Sequence, residues 1–138
     1  MYDNINEMTK EIALKNQFEK ATHNLRDVLD RTGKANPLDR AVFRDSAIQR
    51  FEIAFDICWK MLKEILRNDY GIECASPKKC FQEAFKQGII EQDEMWIKMT
   101  DMRNETSHAY NEAFAEMVFG QLPEVINAFE KLLWKLKK

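Results

Sequence analysis

Between Pro37 and Gly71 the chain carries neither glycine nor proline, and the apolar residues of that stretch recur at helical spacing. Phe43, Ile48, Phe51, Ala54, Phe55, Cys58, Met61, Leu62, Ile65 and Leu66 form one broad apolar face. Asn36 suits the cap, Pro37 the first helical position, and Gly71 the stop. A helix from Pro37 to about Asp69 spans on the order of 45–50 Å at ~1.5 Å per residue. A rod of that length in a chain of 138 residues needs other helices laid alongside it. The sequence therefore predicts a bundle.

The rest of the chain supplies those partners. Leu14, Phe18, Ala21, Leu25 and Leu29 place a first helix over about Thr9 to Arg31, with Thr9 as cap and Gly33 as stop. Ser76-Pro77 opens a short helix that Gly88 closes at C′, with Cys80, Phe81, Ala84 and Phe85 facing inward. Asp93 reads as the cap of a fourth helix that turns Met95, Trp96, Met99 and Met102 to the core. Asn111 caps the last helix, whose stripe runs from Phe114 and Met117 through Phe129 to Leu136, and Gly120 and Pro123 should kink or split it. The expected fold is all-α: an antiparallel four-helix-type bundle with a short extra helix and a last helix kinked near Gly120–Pro123. The length corresponds to a single helical domain over residues 1–138.

Composition narrows the function classes. Only 4 Gly and 3 Pro occur, and 45% of residues are hydrophobic, enough for a core. The net charge of −2 excludes the bulk electrostatic grip that long nucleic acid demands, so any RNA contact is local. Cys58, Cys74 and Cys80 are odd in number and show no paired spacing, which reads as free thiols in a reducing cytoplasm. With histidines only at 23 and 108, no zinc pattern can be written. The amino terminus lacks the charged and apolar regions of a signal peptide, and no run approaches the ~18 apolar residues of a membrane span.

One stretch stands apart from the scaffold. Arg103-Asn104-Glu105-Thr106-Ser107-His108-Ala109-Tyr110 gathers a guanidinium, an amide, an imidazole and a phenol within eight residues. Arginine grips phosphate in a fork geometry, and histidine exchanges a proton near neutral pH. That set suits work on a phosphodiester or a nucleotide. His23, at the edge of the first helix's stripe, reads as a packed or surface histidine. Phe51, Phe55 and Trp59 read as core or dimer contact rather than a base-stacking platform.

At ~100° per residue, a continuous helix would turn His108 about 140° away from Arg103. Thr106, Ser107 and Asn111 favour caps and turns, so a backbone break between Asn104 and Asn111 is expected. So is a symmetric dimer whose two motifs face each other.

These residues carry a resemblance. Arg103-Asn104-x-x-x-His108-x-Tyr110 is similar to the signature of the HEPN superfamily. The chain over about residues 12 to 136 more specifically resembles the nucleotidyltransferase substrate-binding protein family. The similar stretches are Phe51-Glu52, Trp59-Lys60, Ser76-Pro77, Ala84-Phe85, Gly88-Ile89-Ile90, Trp96, the run from Arg103 to Asn111, and Ala115. The resemblance implies a helical bundle that dimerises. It implies as partner a separately encoded minimal nucleotidyltransferase that carries its own metal-dependent active site. It also implies a link to toxin–antitoxin pairs.

Two functions follow from it. In the first, the dimer is the substrate-binding subunit of that transferase and holds nucleotide or nucleic acid in a cleft around Arg103 and His108. In the alternative, the chain is a metal-independent endoribonuclease toxin with Arg103 and His108 catalytic and Asn104 supporting them. The transferase would then silence it by attaching AMP to Tyr110. Neither reading calls for a bound cofactor or metal in this chain.

Overall fold

The computed structural model describes residues 2–92 and 94–137, with side chains from Thr9 onward in that range. Among them are five α-helices, one short 3-10 turn and no strand. The helices are α1 (Tyr2–Lys34), α2 (Pro37–Tyr70), α3 (Pro77–Lys86), α4 (Glu94–Glu105) and α5 (Glu112–Leu136); the 3-10 turn spans Thr106–His108.

Local capping explains most of the boundaries. The Asn36 side chain accepts from the Asp39 amide, Ser76 accepts from that of Lys79, and Asn111 from that of Phe114. Gly71 and Gly88 take φ of 66° and 77°, which lets the chain leave α2 and α3 in the left-handed region. Only Ala35 and Asn36 separate α1 from α2, so these two long helices must fold back on one another.

The start of α1 differs from the expected one. The helix already runs at Tyr2, and Thr9 lies within it rather than capping it. Long-range polar contacts account for the extra turns. Lys10 pairs with Glu64 at 3.2 Å, and Asn68 donates to Glu11 at 3.2 Å, which ties this end of α1 to the far end of α2. A threonine costs a helix interior only a few tenths of a kcal/mol, so it does not stop one that has such partners. Gly33 likewise sits inside the last turn of α1, one residue before its end. The expected cap at Asp93 lies outside the described residues. α5 passes through Gly120 and Pro123 as one helix, so the last helix is not split.

The core is threaded by an unbroken chain of aromatic rings through all five helices. Phe18 of α1 meets Phe129 of α5 edge-on at 5.3 Å, and Phe129 lies 5.8 Å from Trp96 of α4. Trp96 meets Phe81 of α3 at 5.2 Å, Phe81 meets Phe55 of α2 at 5.7 Å, and Phe55 meets Phe51 at 6.0 Å. Such pairs add about 0.5–1.5 kcal/mol each beyond their burial. Two residues expected inside are half-exposed, Phe85 at 42% and Met117 at 47%. α3 is short and packs one side only, so Phe85 falls past the edge of its buried face of Cys80, Phe81 and Ala84. Met117 lies off the α5 stripe of Ala115, Val118 and Leu122.

The cysteines require a correction. Cys74 and Cys80 form a disulfide, with Cα atoms 5.2 Å apart. The reversal at Ser76-Pro77 brings the loop after α2 back over the first turn of α3, a proximity that sequence spacing does not reveal. Cys58 alone is free; it is fully buried, and burial pushes its thiol well above the usual range. No described helix is long and apolar enough to cross a membrane.

Candidate functional site

The helix does break where the motif lies. α4 ends at Glu105, the chain tightens into the 3-10 turn, and α5 begins only at Glu112. Thr106, 5% exposed, is the knot of this turn. Its hydroxyl donates to the Arg103 carbonyl at 2.9 Å and accepts from Arg103 Nη1 at 3.1 Å. Two backbone bonds close the loop: the Ala109 amide to the Thr106 carbonyl, and the Asn111 amide to the His108 carbonyl, each 3.0 Å.

Arg103 is held from α2. Its Nε and Nη2 donate to the Asp56 carboxylate at 3.2 and 3.1 Å, and its Nη1 lies 3.1 Å from Glu52 Oε2. The Asp56 bond, opposed in part by burial, raises the guanidinium above its already high ordinary pKa. Arg103 is thus a permanent cation of fixed direction, partly open to solvent. Three of the five N–H donors that a guanidinium carries are engaged in these hydrogen bonds to Asp56 and Thr106, and Glu52 adds an ion pair.

His108 and Tyr110 face outward. Their rings stand 6.3 Å apart, and His108 meets Phe114 of α5 edge-on at 6.4 Å and 90°. The imidazole makes no hydrogen bond among the described residues, so either ring nitrogen can meet a substrate. Tyr110 is 85% exposed. Asn104 is exposed as well, and its side chain has no hydrogen-bond partner among the described residues.

The turn therefore gathers all four expected residues on one short segment, but no hydrogen bond or ion pair joins Arg103 to His108. Arginine looks back to α2, and histidine rests on α5. Asp56 and Glu52 are the site residues that sequence reasoning missed. Their signal was present: two carboxylates four apart share one helix face. Nothing local showed which cation they meet. No three His, Cys, Asp or Glu side chains among the described residues are grouped to hold a metal ion. His23 is a surface residue, 3.9 Å from Glu19.

Comparison with known proteins agrees with this architecture. A Thermus thermophilus protein of known crystal structure superposes with a TM-score of 0.79 and 36% identity, over 88% of this chain and 99% of that one. HI0074 from Haemophilus influenzae, described as having the fold of a substrate-binding domain of a nucleotidyltransferase, superposes with a TM-score of 0.80 and 25% identity, over 90% and 99% of the two chains. A Haemophilus influenzae protein named probable ribonuclease HepT is 32% identical over 96 residues, which span 67% of this chain and 66% of that protein. The family model for nucleotidyltransferase substrate binding protein like sequences matches residues 14–138, and the chain belongs to that family.

Proposed function

We propose that this chain is a HEPN-type, metal-independent endoribonuclease that works beside a separately encoded nucleotidyltransferase. One observation carries the reading: the broken helix sets an unpaired, solvent-facing His108 on the turn that directly follows α4, whose last turn holds a cation locked in direction. The relative named a probable ribonuclease supports it. The family description supports the transferase partner.

The chemistry is an internal phosphoryl transfer. The ribose 2′-oxygen attacks the adjacent phosphorus, and the bond to the 5′-oxygen breaks. The products are a 2′,3′-cyclic phosphate and a 5′-hydroxyl. His108 takes the proton from the 2′-hydroxyl or delivers one to the leaving oxygen. Arg103 stabilises the charge that builds on the phosphoryl oxygens. Asn104 is placed to donate to a phosphate. The reaction needs a 2′-hydroxyl, so the substrate is RNA. A symmetric dimer supplies two such turns to one cleft, where one histidine accepts and the other donates. Tyr110 is the site at which the transferase attaches AMP, and its exposure leaves it accessible to a second protein.

The test is cleavage of mixed cellular RNA in EDTA by wild type and His108→Ala. Cyclic-phosphate ends produced by wild type alone support the reading. RNA left intact by a folded, dimeric wild type overturns it in favour of a binding subunit that holds nucleotide for the transferase.

A further inference from the structure

The start of α5 is held by a buried arginine. Glu112 and Glu116, one turn apart, reach across to Arg44 and Arg40 of α2. Arg44 Nη1 and Nη2 approach Glu112 at 3.3 and 3.5 Å, and Nη1 meets Glu116 at 3.1 Å. Arg40 grips the same Glu116 at 2.6 and 3.1 Å. The Arg44 side chain is only 5% exposed, whereas Glu112 is 81% exposed. Asp45, next to Arg44 on α2, also accepts from its Nε and Nη2 at 3.1 and 3.0 Å. A buried guanidinium is strongly unfavourable without its partners, and Glu112 and Glu116 are the ones that lie on α5. Glu112 is the first residue of α5. Immediately before it, Asn111 closes the motif turn, and two residues after it Phe114 supplies the ring against which His108 stands.

We propose that Arg44 is a positioning residue for His108. By gripping Glu112 and Glu116 it fixes the first turn of α5. The Asn111 cap and the Phe114 ring are thereby fixed, and through them the direction of the imidazole. For catalysis this rests on the ribonuclease reading above; the positioning itself does not.

The chain has only two histidines, so imidazole ring protons are few and can be assigned with His108→Gln. The experiment records them by NMR for wild type, Arg44→Lys, Arg44→Met and Glu112→Gln. It also measures kcat and KM for RNA cleavage. Arg44→Lys keeps the charge but loses the fork, and Glu112→Gln removes the charge of an exposed side chain while Asp45 and Glu116 still pair with Arg44. Arg26→Met is the control. It breaks an ion pair to Glu130, farther along α5 from Glu112 and Glu116.

The proposal expects the His108 signals to move toward those of a free imidazole in Arg44→Met and Glu112→Gln, less in Arg44→Lys, with His23 unmoved. It expects kcat to fall by about tenfold or more with KM nearly constant, as for a displaced catalytic group. Arg26→Met should leave both readouts in place while lowering the melting temperature. Unchanged His108 signals in folded Arg44→Lys and Glu112→Gln would overturn it, as would an equal movement in Arg26→Met. If wild type cleaves no RNA, the ribonuclease reading fails, and the NMR comparison still decides the positioning.

Discussion

Asp56 grips Arg103 along its Nε–Nη2 edge, at 3.2 and 3.1 Å, across 47 residues of chain. This contact sets the direction of the motif's cation. Asp56→Asn keeps the shape but removes the charge and one acceptor oxygen. Misplacing a catalytic group by about 1 Å costs on the order of a hundredfold in rate, so kcat for RNA cleavage should fall by about ten- to a hundredfold. The pair is partly exposed, so stability should change by no more than about 1 kcal/mol. Steady-state kinetics beside a thermal melt checks this. A full-rate Asp56→Asn enzyme would show that Arg103 needs no direction from α2.

Acid should loosen the junction of α2 and α5 through Glu116. Hydrogen bonds from Arg40 and then Arg44 hold its carboxyl at about 2, below the ordinary value of 4.5. A depressed folded-state value means the ionised form is favoured by folding. Its contribution is complete above about pH 4.5 and is lost as pH falls toward about 2. Melting temperature should drop over that window. Glu116→Gln should start lower at neutral pH and show a shallower acid limb. Parallel acid limbs for the two proteins would assign the loss to other carboxylates.

The features legible in the sequence are those set within a few residues. The caps at Asn36, Ser76 and Asn111 each act on an amide three positions on, and the left-handed turns at Gly71 and Gly88 are equally local. The break after Asn104 was legible for the same reason, because Thr106, Ser107 and Asn111 compete with helical hydrogen bonding where they stand. What stayed hidden was settled by packing between distant segments. Thr9 lies within α1 because Lys10 and Glu11 find partners on α2. Asp56 meets Arg103, and Arg44 meets Glu112, only because the bundle lays α2 beside the ends of α4 and α5. The disulfide needed the reversal at Ser76-Pro77 before Cys74 could face Cys80.

That disulfide closes a short loop over the buried Leu66 and should be measurable by mass and by melting. Intact protein under denaturing, non-reducing conditions should react with one equivalent of a thiol reagent, at Cys58, and with three after reduction. In the folded state Cys58 should not react, because it is buried and its thiolate is disfavoured. Cross-linking residues this close in sequence is worth about 2 kcal/mol of chain entropy, so reduction should lower the melting temperature by several degrees. Three reactive thiols without reduction would mean that the pair is not formed.

Thr22 offers the converse of a stabilising contact. It is 2% exposed on α1, and its hydroxyl has no hydrogen-bond partner among the described residues. A buried hydroxyl without a partner costs about 1–3 kcal/mol relative to its hydrated state. Thr32 and Thr100, also buried, escape this by donating to the carbonyls of Val28 and Trp96 four residues earlier. Valine has nearly the same shape as threonine and a similar helix propensity, so Thr22→Val should remove the penalty without opening a cavity. The expected gain is on the order of 1 kcal/mol, a rise of a few degrees in melting temperature for a chain of this size. Thr32→Val is the internal comparison: it deletes a hydrogen bond that is made, so it should destabilise. If both substitutions lower the melting temperature alike, Thr22 has a partner in solution, such as a buried water.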